Sequence, residues 1–392
     1  MRIGLNLLHA LPEIGGGWNY IRGLVRGLAE IDSSDHFVVF LTRESEMLVP
    51  ERPNFELVRI PLDSANRPRR VLFEHTTLPR LVRRHRLDCL HWFSSTQALI
   101  RSVPGVVTIY DLHPFLNLSP YSVTKKAYLK TMITQTVRRA HHLLPMSRAT
   151  ADALIQLFHL NPRRLSVIPP VLGKDFRPAT EEEISSFRSK HRLPEKFWLY
   201  VGDFLPHKNH LRLLEAYHRW ISNIPSAWPL LFRGDDKGTE KQIRHFIEQR
   251  DLQRNVAILP RLGNSEIRIL YSAATALVFP SLYEGGGLPV VEAMACGLPV
   301  AAAGIPPVRE FAGRAALYFN PNDAGSILNA MKELQTRLEL RESLRTAGLW
   351  RAEEFRPPKV IPRLLEAYAG AAAKRKNRTI EIRVRPGNRP GR

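Results

Sequence analysis

Short apolar runs rich in β-branched residues alternate along this chain with stretches whose apolar residues recur every three or four positions. That alternation of periods predicts βαβ units and parallel sheets. The first half offers RIGLNLL at 2–8, HFVVFLT at 36–42, FELVRIPL at 55–62, LDCLHWF at 87–93, VVTIYDL at 106–112 and HLLPMS at 142–147. The second half offers FWLYVGD at 197–203, PLLFRGD at 229–235, VAILP at 256–260, ALVFPS at 276–281 and PVAAA at 299–303. Each half reads as one doubly wound α/β domain. Between them, residues 168–196 carry prolines and polar residues with no strand signal, which places the connection near 170–190. The expected division is a first domain over 1–175, a second over 176–365 and a disordered basic tail over 366–392. Ligands of such sheets sit at the carboxyl ends of the strands, so a cleft between two facing sheets is the expected site.

Composition narrows the class. The chain has 392 residues, enough for two ordinary domains, and is 44% hydrophobic and 24% charged, as globular proteins are. Cys89 and Cys296 sit in apolar contexts without a partner at metal-ligand spacing, so both read as buried free thiols in a reducing compartment. The N-terminus runs directly into a strand-like segment, and no apolar run reaches the roughly 20 residues of a spanning helix. A cytoplasmic protein is expected. The formal net charge of +20 implies an anionic partner. Two clusters carry much of it, Arg67 to Arg86 with interleaved apolar residues and the tail Lys374 to Arg392. The first is either a solvated face or a contact with an anionic membrane surface. No specific nucleic-acid partner is expected, because no reader motif or aromatic platform accompanies the charge.

Three places combine glycine, charge and a helix start. Gly15, Gly16 and Gly17 follow the first run and precede a helix patterned on Ile21, Leu24, Val25 and Leu28. Glycines there admit a ligand close to the backbone, but the spacing is not the dinucleotide fingerprint, and a tight turn has the same sequence. Lys208 follows the run at 197–203 and can neutralise a phosphate as a point charge. A single lysine there is surface decoration unless something lies opposite. What lies opposite is YEGGGLPVVEAMACG, Tyr283 to Gly297, where Gly285 to Gly287 turn the chain and Pro289 suits the start of a helix ending at Gly297. Free N–H groups over 287–290 can hold a diphosphate. Glu292 and Glu284 then flank the phosphates and suit hydroxyl donors, a ribose on one side and a sugar on the other. Asp235 and Asp236 lack a D-x-D spacing, and no histidine joins a ligand set, so no metal is expected.

The stretch SLYEGGGLPVVEAMACGLPVAAAGIPPVREFAGRAALYFNPND resembles the Glu-x7-Glu region of retaining glycosyltransferases of family 4, among them bacterial polysaccharide and mannosyl-type transferases. YVGDFLPHKNH, IGGGWNYIRGL, VVTIYDL, LLPMSRATADAL and LSVIPPVLGKDF resemble further family segments in the family's order. The resemblance implies a GT-B fold, two Rossmann-like domains facing across a cleft, the first binding acceptor and the second a nucleotide-sugar. It implies that Glu292 takes the ribose, Glu284 the transferred sugar and Lys208 the diphosphate. The backbone at Gly287 and Leu288 would hold diphosphate and sugar, Gly16 and Gly17 would close over them, and Leu262 would lie near the base. Three positions depart from the family pattern. Gly286 replaces an aromatic residue, His207 an arginine, and Tyr110, ahead of Asp111, the histidine of a His-Asp pair that faces donor and acceptor. The implied activity is sugar transfer from a nucleoside-diphosphate sugar, used as co-substrate without any cofactor, to a glycan or lipid-linked acceptor at the inner face of the cytoplasmic membrane. A GT-B sugar-phosphate synthase or phosphorylase, and a non-catalytic sugar-nucleotide or polyanion binder, remain alternatives.

Overall fold

The computed structural model describes residues 1–12, 15–100, 102–116, 122–222 and 227–384. Two compact units divide the chain, the first comprising Met1–Pro169 with Pro357–Arg392, the second Pro170–Arg356. The first holds β1 (Arg2–Asn6), α1 (Gly16–Glu30), β2 (His36–Leu41), β3 (Phe55–Arg59), α2 (Arg67–Thr76), α3 (Leu78–Arg84), β4 (Cys89–Trp92), β5 (Gly105–Ile109), α4 (Val123–Arg139), β6 (His142–Pro145) and α5 (Arg148–Phe158). The second holds α6 (Glu181–His191), β7 (Trp198–Val201), α7 (His210–Ile221), β8 (Leu230–Arg233), α8 (Glu240–Gln249), β9 (Val256–Ile258), α9 (Asn264–Ala273), β10 (Ala276–Phe279), α10 (Leu288–Ala295), β11 (Val300–Ala303), α11 (Pro306–Ala312), β12 (Leu317–Phe319), α12 (Ala324–Thr336) and α13 (Leu338–Ala352). The final helix α14 (Pro357–Val384) belongs to the first unit.

Both sheets are parallel throughout, ordered β3-β2-β1-β4-β5-β6 and β12-β11-β10-β7-β8-β9. The two orders are the same topology, with β7 in the place of β1 and β10 in the place of β4. Each strand run is apolar at nearly every position because helices cover both sheet faces. In the second unit, for example, Trp198, Tyr200 and Phe232 pack with Leu213, Leu214, Tyr217 and Trp220 of α7. Burial of each such side chain contributes about 1.5–3 kcal/mol.

Three features differ from the sequence reading. The strands are shorter than the apolar runs, because residues such as Leu7, Leu8, Asp203 and Asp235 have already left the ladder for the loops at its carboxyl edge. A twelfth strand, β12, has only three residues on the sheet edge, Leu317 and Tyr318 half-buried and Phe319 buried, too few for a period to register. Residues 366–384 are helical rather than a loose tail, and the second unit ends at Arg356 rather than at 365. The helix forms because Val360, Ile361, Leu364, Ala367, Tyr368, Ala371 and Ala372 make one apolar stripe, buried on the first unit. Residues 385–392 of the expected tail lie outside the described residues.

Candidate functional site

In sheets of this order the crevice opens where two neighbouring strands send their connections in opposite directions, here between β7 and β10. Beyond β7 the chain makes a 3-10 turn over Pro206–Lys208 and passes through Asn209 at φ 64° into α7. Asn209 tolerates that left-handed backbone and uses its side chain as a staple. Its Nδ2 donates to the carbonyls of Pro280 at 3.0 Å and Pro321 at 2.8 Å, while the Leu282 N–H donates to the His207 carbonyl at 2.8 Å. The loops after β7, β10 and β12 are thereby fixed to one another. The result brings Lys208 Nζ to 2.6 Å from Glu284 Oε1, with side chains only 13% and 11% exposed, and the ammonium 5.7 Å from the centre of the Phe279 ring. Beneath them Tyr200 carries a buried hydroxyl whose pKa burial, then the charges of Glu284 and Asp203, push well up.

Past Glu284 the glycines deliver the chain to α10. Gly286 and Gly287 are buried, and Gly287 caps the helix at φ 142°, a conformation closed to other residues without strain. Pro289 occupies the second helical position rather than the first. The N–H groups of Val290 and Val291 both donate to the Gly287 carbonyl, so the backbone donors left for an anion are those of Gly287 and Leu288. Glu292 lies one turn on, 5% exposed, and accepts from the Tyr271 hydroxyl at 2.9 Å. Burial and the Glu292 charge raise the Tyr271 pKa well above the phenol range, which keeps the hydroxyl a donor. Tyr271 was not legible as a site residue, since on α9 it occupies one more apolar helical position. Leu262 is half-buried between β9 and α9.

The remaining candidates belong to the first unit. Gly16 and Gly17 are not a loop before α1 but its first two residues, with Gly15 as the cap at φ 59°. A Cβ at Gly16 would meet nothing within 4 Å, so space for a ligand is open there. Tyr110 follows β5, packs edge-on against Tyr20 with centroids 5.4 Å apart, and buries its hydroxyl, whose pKa burial pushes well up. Asp111 turns one carboxylate oxygen to the His113 N–H at 2.8 Å.

The acidic pair after β8 has other duties. Asp236 Oδ1 accepts from the N–H groups of Gly238, Thr239 and Glu240 at the start of α8, which lowers its pKa, and Asp235 accepts from Arg233 at 3.1 Å. The basic cluster over 67–86 is split. Arg67, Arg69 and Leu72 are exposed on α2, whereas Arg70 and Glu74 turn inward. No helix among the described residues is long and apolar enough to cross a membrane.

Two family models match the chain, Glycosyltransferase Family 4 over residues 14–172 and Glycosyl transferases group 1 over 181–349. The chain is 29% identical over 230 residues to the O-antigen chain mannosyltransferase RfbU of Salmonella typhimurium, a match covering 58% of this chain and 60% of the relative. It is 26% identical over 266 residues to the O-antigen chain mannosyltransferase B of Escherichia coli, covering 67% of this chain and 70% of that one. The solved structure of Anabaena HepE in complex with UDP-glucose superposes with a TM-score of 0.74 at 17% identity, covering 94% of this chain and 99% of that one. The chain therefore belongs to the glycosyltransferases, with the group 1 and family 4 domains on a GT-B fold.

Proposed function

We propose that this protein moves a sugar, with retention of configuration, from a nucleoside-diphosphate sugar to a hydroxyl of a glycan or lipid-linked acceptor in surface polysaccharide assembly. The observation that carries the reading is the Lys208–Glu284 pair at the β7/β10 crevice, one turn from the glycine-capped α10 and its buried Glu292. In the free protein each charge neutralises the other. When a donor enters, Lys208 turns to the diphosphate, the N–H groups of Gly287 and Leu288 join it, and Glu284 is released toward hydroxyls of the sugar. Stabilising the charge that develops on the leaving diphosphate is then the main source of rate. Glu292, oriented by Tyr271, accepts from the ribose. The mannosyltransferase names of the relatives support a mannosyl donor. The engagement of Asp235 and Asp236 within the protein supports transfer without a metal. Thermal shifts with GDP, UDP and ADP and their sugars test the reading, because a ligand of the native state raises its stability according to affinity. No shift with any of them would remove the donor site.

A second reading has its own observation. Tyr110 stands where the family carries a histidine, and its hydroxyl is buried rather than presented, which supports a nucleotide-sugar binder without turnover. Donor hydrolysis without acceptor separates the two.

The seat proposed for the enzyme is the anionic inner face of the cytoplasmic membrane. Leu72 of α2 and Val123 and Tyr128 of α4 are exposed apolar residues, 64%, 85% and 49% accessible. Burial and then the charge of Arg67 lower the Lys125 pKa, so basic residues of α2 and α4 lie within electrostatic reach of each other.

A further inference from the structure

Tyr200, on β7, is completely buried, and its ring is held on three sides. It stacks on Phe279 of β10 with centroids 6.4 Å apart, and meets Phe232 of β8 at 5.5 Å and His210 of α7 at 4.5 Å. Packing of that kind leaves the phenol no other place to go, so the position of its hydroxyl is fixed. Gly202 makes room for the hydroxyl. A Cβ there would come within 2.8 Å of it, and a φ of 153° favours glycine besides. The Phe279 ring that supports Tyr200 also lies 5.7 Å from the Lys208 ammonium, which holds Glu284 at 2.6 Å. Tyrosine and ion pair thus share one aromatic floor.

The Tyr200 hydroxyl is buried and has no hydrogen-bond partner among the described residues. Native folds keep few such atoms, because each forfeits its hydration without recompense. A phenylalanine would fill the same space without that loss, so packing alone gives no reason for the oxygen. Burial, then the charges of Glu284 and Asp203, keep the phenol protonated and therefore a donor. Of these two carboxylates, Asp203 already accepts the Asp235 N–H on Oδ1 at 3.4 Å. Glu284 is answered by Lys208, and needs another donor only when the lysine leaves it. A donor that is idle in one arrangement of the site and bonded in the other favours the second arrangement.

We infer that Tyr200 is a positioning residue: its hydroxyl donates to Glu284 when Lys208 disengages, and holds that carboxylate in place for the sugar. On the transfer reading above, on which this assignment rests, the lysine disengages to meet the diphosphate. A double-mutant cycle on the full chain tests the exchange without any ligand, Lys208→Met standing for the departed lysine. In the otherwise unaltered protein, Tyr200→Phe is expected to keep or raise the melting temperature, because it removes an unanswered hydroxyl. In the Lys208→Met background the same change is expected to lower it by about 3 °C or more, the loss of a hydrogen bond to a charged group. Where Lys208→Met does not fold, Lys208→Ala is read in the same way. An equal loss in both backgrounds, or a loss in neither, overturns the assignment. Hydrolysis of GDP-mannose and binding of GDP are measured beside it. Tyr200→Phe should lower kcat about tenfold with KM nearly unchanged, and an unchanged kcat likewise overturns the assignment. If the unaltered protein neither hydrolyses GDP-mannose nor binds GDP, the mannosyl form of the transfer reading fails, while the melting cycle still decides whether Tyr200 answers Glu284.

Discussion

Lys208 and Glu284 hold each other at 2.6 Å with little solvent, so removing either leaves the other charge poorly answered. Replacing Lys208 by alanine is expected to raise the donor KM and to lower kcat, together by about 10- to 100-fold, the worth of a charge-assisted hydrogen bond. Steady-state kinetics with a nucleotide-sugar checks this, and unchanged constants would take Lys208 out of the site. Glu284→Gln keeps the shape of the turn, and should leave affinity for the bare nucleoside diphosphate nearly intact while turnover falls, since its proposed partner is the sugar. Glu292→Gln exchanges a buried charged acceptor for a neutral one, and should weaken every nucleotide by about 1–3 kcal/mol in calorimetry. Tyr271→Phe acts through Glu292 alone, so it should raise KM and spare kcat. If these variants lose melting temperature but keep their kinetics, the carboxylates are structural and the transfer reading of the motif ends.

At the scale of elements, α14 is the piece that ties the end of the chain to its beginning. It packs on α1, β4 and β5 of the first unit, and its Tyr368 hydroxyl shares a 2.7 Å hydrogen bond with Nδ1 of His91, whose Nε2 meets Thr108 at 2.9 Å. All three residues are completely buried. Tyr368→Phe leaves an imidazole nitrogen without a partner, and should cost about 1–3 kcal/mol of stability. Denaturant unfolding measures it; a loss near zero would mean that the network repacks. The helical period of 360–372 was present in the sequence, but the lysines and arginines that follow it masked the stripe. β12 shows the opposite case, since three residues, only Phe319 of them buried, become a strand only because β11 supplies hydrogen-bonding partners.

For the whole molecule, acid should be destabilising well before the carboxylates titrate. Burial holds His9, His91 and His210 down to about 3, below the value of about 6.5 for an exposed imidazole. The unfolded chain therefore binds protons that the native chain refuses. Their contribution is fully present above pH of about 6.5, and is lost as pH falls toward about 3. Glu183 and Glu266, drawn down to about 2 by their bonds to Arg268 and to Lys190 respectively, add to the loss below pH of about 4. Melting temperature is expected to decline steadily from pH 7 to 5 by scanning calorimetry, and a flat profile there would contradict the neutral histidines. The basic patch makes its own forecast. Liposome binding should require anionic lipid and weaken as salt rises, because exposed charges are screened over roughly 10 Å at 0.1 M. Equal binding to neutral vesicles, or none to either, would leave it a solvated face.

What the sequence determined by itself was the class of fold and the glycine–carboxylate motif of the candidate site, for physical reasons that act over short distances. Apolar runs of strand length between amphipathic helices can only be buried as two parallel sheets with helices on both faces, and all but one of the strands announced themselves this way. Lys208, Glu284, Gly287 and Glu292 were legible because a glycine turn, a helix start and isolated charges at strand ends are local signals. Only the tertiary structure decided the rest, because it depends on residues far apart in the chain. Tyr271 became the partner of Glu292, and Glu284 the partner of Lys208 across 76 positions, when α9, α10 and the loops after β7 and β10 were brought together. Arg70 and Glu74, read as part of a charged surface, turned inward because Asn6 and His9 at the end of β1 lie beneath them. A side chain's type is written in the sequence, whereas its partner and its access to water are fixed only by packing.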